Sequence, residues 1–291
     1  MSASAVARDV KRVGVLGAGQ MGLGIALVAA NKAGLPVTLV DSSEKSLEKG
    51  SGFMDKLLAK DVSKSKITQE QADAVKGRVK GTTNFDDIAE ADFIIEAVPE
   101  IPSLKMEIFG KLAQLCSKDT ILATNTSSIS ITKIAAAAVG AEDRVVSTHF
   151  MNPVPVQPGV EIITGSQTSE QTLNTALDLI KKMDKVPSVS RDSPGFLANR
   201  ILMPYINEAI MCLENGIGTK EDIDSIMKNG CAMPMGPLAL ADFIGLDTCS
   251  AIMKVSHENT GDSKYRPAVS LQNMVDAKWY GKKSGKGFYD Y

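Results

Sequence analysis

The sequence predicts an α/β protein: a doubly wound, mainly parallel sheet followed by an all-helical C-terminal domain. Three observations predict it. Short apolar runs alternate with helical periodicity up to about residue 190, the pattern of strands joined by crossover helices. A glycine-rich turn separates the first apolar run from the first helical stretch. Beyond Asp192-Ser-Pro-Gly195 only helical periodicity continues, so the 291 residues divide into 1–192 and 193–291. Two domains are also the default expectation for a chain that exceeds a single core.

Taken in order, Val13 to Leu16 predicts a strand, residues 20–33 a helix rich in small residues, and Val37 to Val40 a second strand ending at Asp41. Between the first two lies Gly17-x-Gly19-x-x-Gly22. Strand, glycine turn, helix, strand and acidic residue in this order describe a Rossmann-type dinucleotide-binding unit. Gly17 suits the tight turn, Gly19 lets backbone approach a pyrophosphate, and Gly22 lets helix pack on sheet. Gln20 and Met21 complete the candidate cofactor turn, whose helix N-terminus offers N–H groups and partial positive charge to phosphates. Asp41 can accept hydrogen bonds from both ribose hydroxyls of NAD and would repel a 2′-phosphate, while Ser42-Ser43 offers no arginine. NAD is therefore expected rather than NADP.

Residues 44–60 are helical in pattern, and Lys56, Lys60 and Lys64 share a face if that helix continues. Two readings stay open for them, a solvated face or a cationic strip for a phosphate-bearing ligand. Thr68 and Gln71 form a capping-box pattern that starts another helix and predicts a helical hairpin. Strands are expected at 92–98, 120–124, 144–150, 160–163 and 186–190, with helices at 103–116 and 169–183. Ser193 as N-cap and Pro194 at the first helical position predict a helix running to Glu214, stopped by Asn215-Gly216. Further helices follow at 220–228, 238–244, 248–258 and 271–277.

Composition excludes several classes. With 32 basic against 34 acidic residues and a net charge of −2, no footprint for nucleic acid or an anionic membrane is present. The four cysteines, Cys116, Cys212, Cys231 and Cys249, lack C-x-x-C spacing, so no metal site is expected and they read as reduced, mostly core thiols. No run of eighteen apolar residues predicts a membrane span. The first twelve residues, interrupted by Asp9, leave little room for a transit peptide. A cytoplasmic location is expected, with the mitochondrial matrix as the alternative.

Ligands on such sheets bind beyond the carboxyl ends of the strands, where Ser127, His149 and the segment Glu96 to Glu100 all fall. Of the two histidines, His149 ends a strand beside a loop stiffened by Pro153, Pro155 and Pro158. Oxidising an alcohol with NAD requires a base for the hydroxyl proton, and imidazole titrates near neutrality. A structural histidine is the other reading. Glu161 could orient that ring or be an edge-strand carboxylate facing water. His257, in Ser256-His-Glu-Asn259, reads as a surface residue. Ser127 or Ser128 could cap the following helix, and Ser127 could instead bond a substrate oxygen. Asn199 could face a cleft or bond to backbone.

With His149-Phe-Met-Asn-Pro-Val-Pro155, Asn125-Thr-Ser-Ser128, Ser193-Pro-Gly-Phe-Leu-Ala-Asn-Arg200, the GAGQMG turn and the terminal Gly281-Lys-Lys-Ser-Gly-Lys-Gly-Phe-Tyr-Asp-Tyr291 assembled, the chain resembles the L-3-hydroxyacyl-CoA dehydrogenase family over essentially its whole length. The resemblance implies reversible NAD-linked oxidation of (S)-3-hydroxyacyl-CoA to 3-oxoacyl-CoA in fatty-acid metabolism. It also implies a homodimer joined through helical, substrate-binding domains. Overall likeness to bacterial-type butyryl members points to short substrates such as 3-hydroxybutanoyl-CoA. Carried over residue by residue, His149 is the base, Glu161 its partner, and Ser127 and Asn199 contact the reacting end of the substrate. Asp41, Glu100, Lys105 and Lys283 match cofactor contacts. Lys64 matches a contact to the CoA nucleotide, which moves the strip of Lys56, Lys60 and Lys64 toward the functional reading.

Two stretches depart from the family pattern. Gln157-Pro158-Gly159 replaces the more usual Met-Lys-Leu, so the loop joining His149 to Glu161 is expected to be set differently. Leu57 stands where some members have a CoA-contacting serine, which would weaken CoA binding slightly. Two competing functions remain, a dehydrogenase of a free hydroxy acid or sugar acid, and a catalytically silent NAD-binding protein on the same fold. The first would not need the lysine strip, and retention of His149 with Glu161 counts against the second.

Overall fold

The computed structural model describes residues 5–291. Residues up to Asp192 form one compact unit and those from Ser193 another.

The first unit is built on eight strands: β1 (Val13–Leu16), β2 (Val37–Val40), β3 (Val79–Thr82), β4 (Phe93–Glu96), β5 (Ile121–Thr124), β6 (Val145–Phe150), β7 (Gly159–Thr164) and β8 (Val186–Arg191). They form one sheet in the order β3-β2-β1-β4-β5-β6-β7-β8, parallel throughout except where β7 runs antiparallel to β6. Every residue of β1, β4, β5 and β6 is buried. Central strands of a parallel sheet are covered on both faces, which is why β1, β4 and β5 are largely apolar without alternation, while β6 buries the polar Ser147, Thr148 and His149. The connecting helices are α1 (Gln20–Asn31), α2 (Glu44–Ser63), α3 (Gln69–Arg78), α4 (Pro102–Leu115), α5 (Ile131–Ala137) and α6 (Glu170–Lys182).

The chain leaves β1 in one direction to form β2 and β3, then returns to place β4 on the other side of β1. Leu16 and Glu96, the last residues of β1 and β4, lie opposite each other. That reversal is the switch point where a crevice opens beyond the strand ends.

One strand lies outside the sequence expectations, and one local reading needs correction. The edge strand β3 has no apolar signature, since Lys80 and Gly81 form its exposed middle. Neither Ser127 nor Ser128 caps the helix after β5, because Ser130 does so, accepting the Lys133 N–H at 3.2 Å.

The second unit is helical: α7 (Ala198–Glu214), α8 (Lys220–Asn229), α9 (Pro237–Ile244), α10 (Leu246–Thr260) and α11 (Val269–Asp276), packed around Met203, Ile206, Ile210, Leu238, Leu246, Met253 and Leu271. Its first helix does not begin at Ser193 and Pro194. Gly195 (φ +79°) and Phe196 (φ +48°) are left-handed, a conformation no α-helix accommodates, so a turn precedes α7. At the far end the buried carboxylate of Asp242 accepts the N–H groups of Phe288 and Tyr289, both at 2.9 Å, and binds the tail to α9.

All four cysteines are free thiols, but only Cys116 and Cys249 are buried, while Cys212 is half-buried and Cys231 exposed. The expectation of mostly core thiols therefore fails. No helix of the described residues is long and apolar enough to cross a membrane.

Candidate active site

The glycine turn is shaped by contacts that exclude side chains. Gly17 has φ +103°, and a Cβ there would lie 2.8 Å from Ala97 O. A Cβ on Gly22 would meet Gly17 O at 1.9 Å, so the turn and α1 touch backbone to backbone. Gly19 differs, for nothing lies within 4 Å of its Cβ position. It is the N-cap of α1 and offers no side-chain cap, which leaves the helix N-terminus facing open space.

A cleft of ≈ 850 Å³ opens there, bounded by Gly17, Gly19, Gln20, Met21 and Asp41. That volume falls in the range of small-molecule sites, roughly 300–1,000 Å³. Asp41 stands on its wall with the carboxylate fixed by the N–H groups of Ala18 at 2.8 Å and Ser43 at 2.9 Å. The glycine cradle and this acidic wall fit a dinucleotide. Apolar Phe85, Leu104 and Ile108 also line the cleft. Sequence reasoning missed them, because they come from a 3₁₀ turn and a helix distant from the motif.

At the end of β6, His149 stands directly opposite Glu161 of β7 in the antiparallel register. Side chains opposite one another on such a pair meet on one face of the sheet. His149 Nδ1 and Glu161 Oε2 are 2.8 Å apart, with both residues buried. The substituted Gln157-Pro158-Gly159 loop leaves this pair closed. With Nδ1–H directed at the carboxylate, the lone pair of a neutral ring sits on Nε2. Such a ring can accept a proton there while the carboxylate stabilises the resulting charge.

Two amides join this region to its neighbours. Asn125 Oδ1 accepts the Phe150 N–H at 2.8 Å, tying the ends of β5 and β6 together. Gln20 Nε2 donates to Asn152 Oδ1 at 3.0 Å, so the loop after His149 touches the glycine turn. Asn152 was not singled out from sequence. Its available signal was a polar amide just beyond a strand end and before a proline.

Ser127 sits on a turn held by Glu100, which the buried pair Lys105 and Glu96 backs. Lys105, 1 % exposed, donates to Glu96 Oε1 at 2.6 Å and to Val98 O at 3.2 Å, and lies 3.3 Å from Glu100 Oε2. The other oxygen of Glu100 accepts the N–H groups of Ser127 (2.8 Å) and Ser128 (3.1 Å). Burial pushes the Glu100 carboxyl up, but the Lys105 ammonium and the hydrogen bonds from Thr126 and Ser127 outweigh it and hold the group below the usual range. Lys105 and Glu100 thus brace the strand-end turns that carry Val98 and Ser127.

Lys56 and Lys60 lie on α2 and Lys64 caps its C-terminus, all three exposed. The nearby carboxylates are engaged elsewhere, Asp55 with Lys76 at 2.9 Å and Asp61 with Lys66 at 3.3 Å. Asn199 and Lys283 belong to the helical unit. Asn199 is in the first turn of α7, and Lys283 pairs with Asp247 at 2.5 Å. His257 is half-buried, its Nδ1 3.0 Å from Asp262 O at the close of α10.

Comparison with known proteins adds to this geometry. Residues 12–193 match the 3-hydroxyacyl-CoA dehydrogenase NAD binding domain, and residues 195–291 match the 3-hydroxyacyl-CoA dehydrogenase C-terminal domain. The chain is 47% identical over 286 residues to the 3-hydroxybutyryl-CoA dehydrogenase of Bradyrhizobium diazoefficiens, covering 98% of this chain and 97% of that one. It is 44% identical over 280 residues to the enzyme of the same name from Clostridioides difficile, covering 96% and 99%. The crystal structure of (S)-3-hydroxybutyryl-CoA dehydrogenase from Ralstonia eutropha superposes with a TM-score of 0.94 at 44% identity, covering 97% of this chain and 99% of that one.

Proposed function

The chain belongs to the 3-hydroxyacyl-CoA dehydrogenase family, and on that premise we propose that it oxidises short-chain (S)-3-hydroxyacyl-CoA with His149 as general base and Glu161 as its partner. NAD-dependent oxidation of a 3-hydroxyacyl-CoA is the activity of the family. The observation that carries the residue assignment is the closed His149–Glu161 pair, 2.8 Å apart at the end of β6. The short acyl chain follows from the likeness to 3-hydroxybutyryl-CoA dehydrogenases.

NAD, when bound in the glycine-lined cleft, supplies the acceptor for the hydride that leaves the substrate's C3. His149 Nε2 takes the proton of the C3 hydroxyl as that hydride departs, so the alcohol loses H⁻ and H⁺ and becomes a ketone. Glu161 keeps the ring in the tautomer that can do this and stabilises the imidazolium. Ser127 and Asn199 hydrogen-bond the oxygen on which charge changes. Asp41 selects NAD by accepting the ribose hydroxyls. Glu100, Lys105 and Lys283 are the further residues assigned to the cofactor by likeness to the family, Glu100 and Lys105 also holding the turns that carry Val98 and Ser127. Lys56, Lys60 and Lys64 attract the phosphates of CoA, with Lys64 on its nucleotide.

The test follows NADH consumption with acetoacetyl-CoA and with free acetoacetate, for wild type and His149→Ala. Dependence on CoA is expected, with kcat lowered roughly 10²- to 10⁴-fold in the variant. Equal activity on the free acid, or an unaffected variant, would sink the reading.

The same proposal includes a homodimer formed through the helical unit. An apolar groove lined by Tyr205, Ala209, Ile217, Ile223 and Ile226 supports it, Ile217 and Ile226 being more than half exposed. It also places the protein in the cytoplasm, on its likeness to bacterial relatives.

A further inference from the structure

Lys185 precedes β8 and is 8 % exposed. Its Nζ donates to two main-chain carbonyls, Val154 O at 2.6 Å and Gln157 O at 2.7 Å. Both belong to the loop between β6 and β7, where Pro153, Pro155 and Pro158 carry no N–H. Of the donors the loop does have, the N–H groups of Val156 and Gln157 converge on one acceptor, Pro153 O, at 3.0 and 2.9 Å. A proline-rich loop is short of donors for its own carbonyls, and one at a buried residue such as Val154 is costly to leave without a partner. Lysine has three donors and here supplies two of them from a distant part of the chain.

Burial holds the Lys185 ammonium below the ordinary lysine range, with Asp184 acting the other way and Lys32 reinforcing it. The charge is kept there against a desolvation cost that its bonds to the carbonyls offset. Main chain closes the same seam, as the Val186 N–H donates to Pro158 O at 2.9 Å.

The loop so pinned reaches both halves of the site. Asn152 near its start takes the bond from Gln20 of the glycine turn. Val154 packs so closely on Gly24 of α1 that a Cβ there would come within 2.8 Å of its own. The loop also carries the chain from His149 round to Glu161.

We propose that Lys185 is a positioning residue: by tying Val154 and Gln157 it fixes the loop that sets Asn152 against the glycine turn and joins the base to its acidic partner. The inference rests on His149 serving as that base. Lys185→Met keeps the stem and removes the donors, whereas Lys185→Arg keeps a cationic donor.

Steady-state kinetics with NADH and acetoacetyl-CoA on the full-length enzyme compare K185M, K185R, H149A and wild type. K185M is expected to lose about 10- to 100-fold in kcat, because a small misplacement near reacting groups is costly. Its KM for NADH should rise several-fold with KM for acetoacetyl-CoA nearly unchanged, and K185R should recover most of both losses. A K185M enzyme whose kcat and KM for NADH stay within about twofold of wild type overturns the proposal even if its Tm falls, since a purely structural lysine would move only the latter. If K185M does not fold, Lys185→Gln, which keeps amide donors, is judged against wild type and K185R by the same pair of constants. H149A separates the two readings. A fully active H149A sinks the base assignment, and an inactive H149A beside an unaffected K185M sinks Lys185 alone.

Discussion

Glu100 accepts N–H groups from the Ser127 turn on one oxygen and lies beside Lys105 with the other, and its carboxyl is held below the usual range. A carboxyl with a depressed folded pKa stabilises the fold above its unfolded value, about 4.3. That contribution is lost as pH falls through the folded value, because the unfolded chain then binds more protons. Below about pH 4.5, wild type should therefore lose stability more steeply than Glu100→Gln, measured by urea midpoints across pH. Parallel slopes would count against the assignment. At this scale the candidate site was only partly legible. His149, Glu161 and Asp41 stood out because their residue types have few uses at strand ends. Asn152, Lys185 and the bracing by Glu96 did not, since each acts through a partner distant in sequence, and no local pattern announces a lysine serving another loop's carbonyls.

Helix and strand signals were strongest where a local mechanism enforces them. Thr68 and Gln71 form the reciprocal box expected of them, the Gln71 N–H reaching Thr68 Oγ1 at 3.1 Å and the Thr68 N–H reaching Gln71 Oε1 at 2.9 Å. Thr68→Ala should cost about 1 kcal/mol, read from the denaturant midpoint, and no shift would show that α3 is held by packing alone. The start of α7 was misplaced for the opposite reason. Ser193-Pro194 carries a helix-start signal, but Gly195 and Phe196 turn left-handed immediately after it, and a single φ is not written in a cap pattern. The strand β3 escaped detection because an edge strand needs no apolar run, and Lys80 at its exposed middle suits an edge that should not pair further.

For the whole molecule, fold class followed from the order of elements, and the family from motifs spread along the entire chain. Assembly is less legible, because an apolar groove on a helical unit looks in sequence like any amphipathic core. Light scattering should find the wild type at twice the mass of one chain. Ile217→Glu with Ile226→Glu should shift it toward monomer, and a monomeric wild type would refute the homodimer. One feature of the sheet reaches further. All eight strands could have been joined by parallel crossovers alone, yet β7 turns back on β6 and places Glu161 opposite His149. Since strand faces alternate residue by residue, a slip of one position would send the carboxylate to the far side of the sheet. The ladder therefore separates what the intervening residues spell from what the pair can do. Exposed side chains of the intervening loop, such as those of Val156 and Gln157, can vary as long as the pairing count is kept, and a single insertion that shifted it would silence the dyad with every one of its atoms still present.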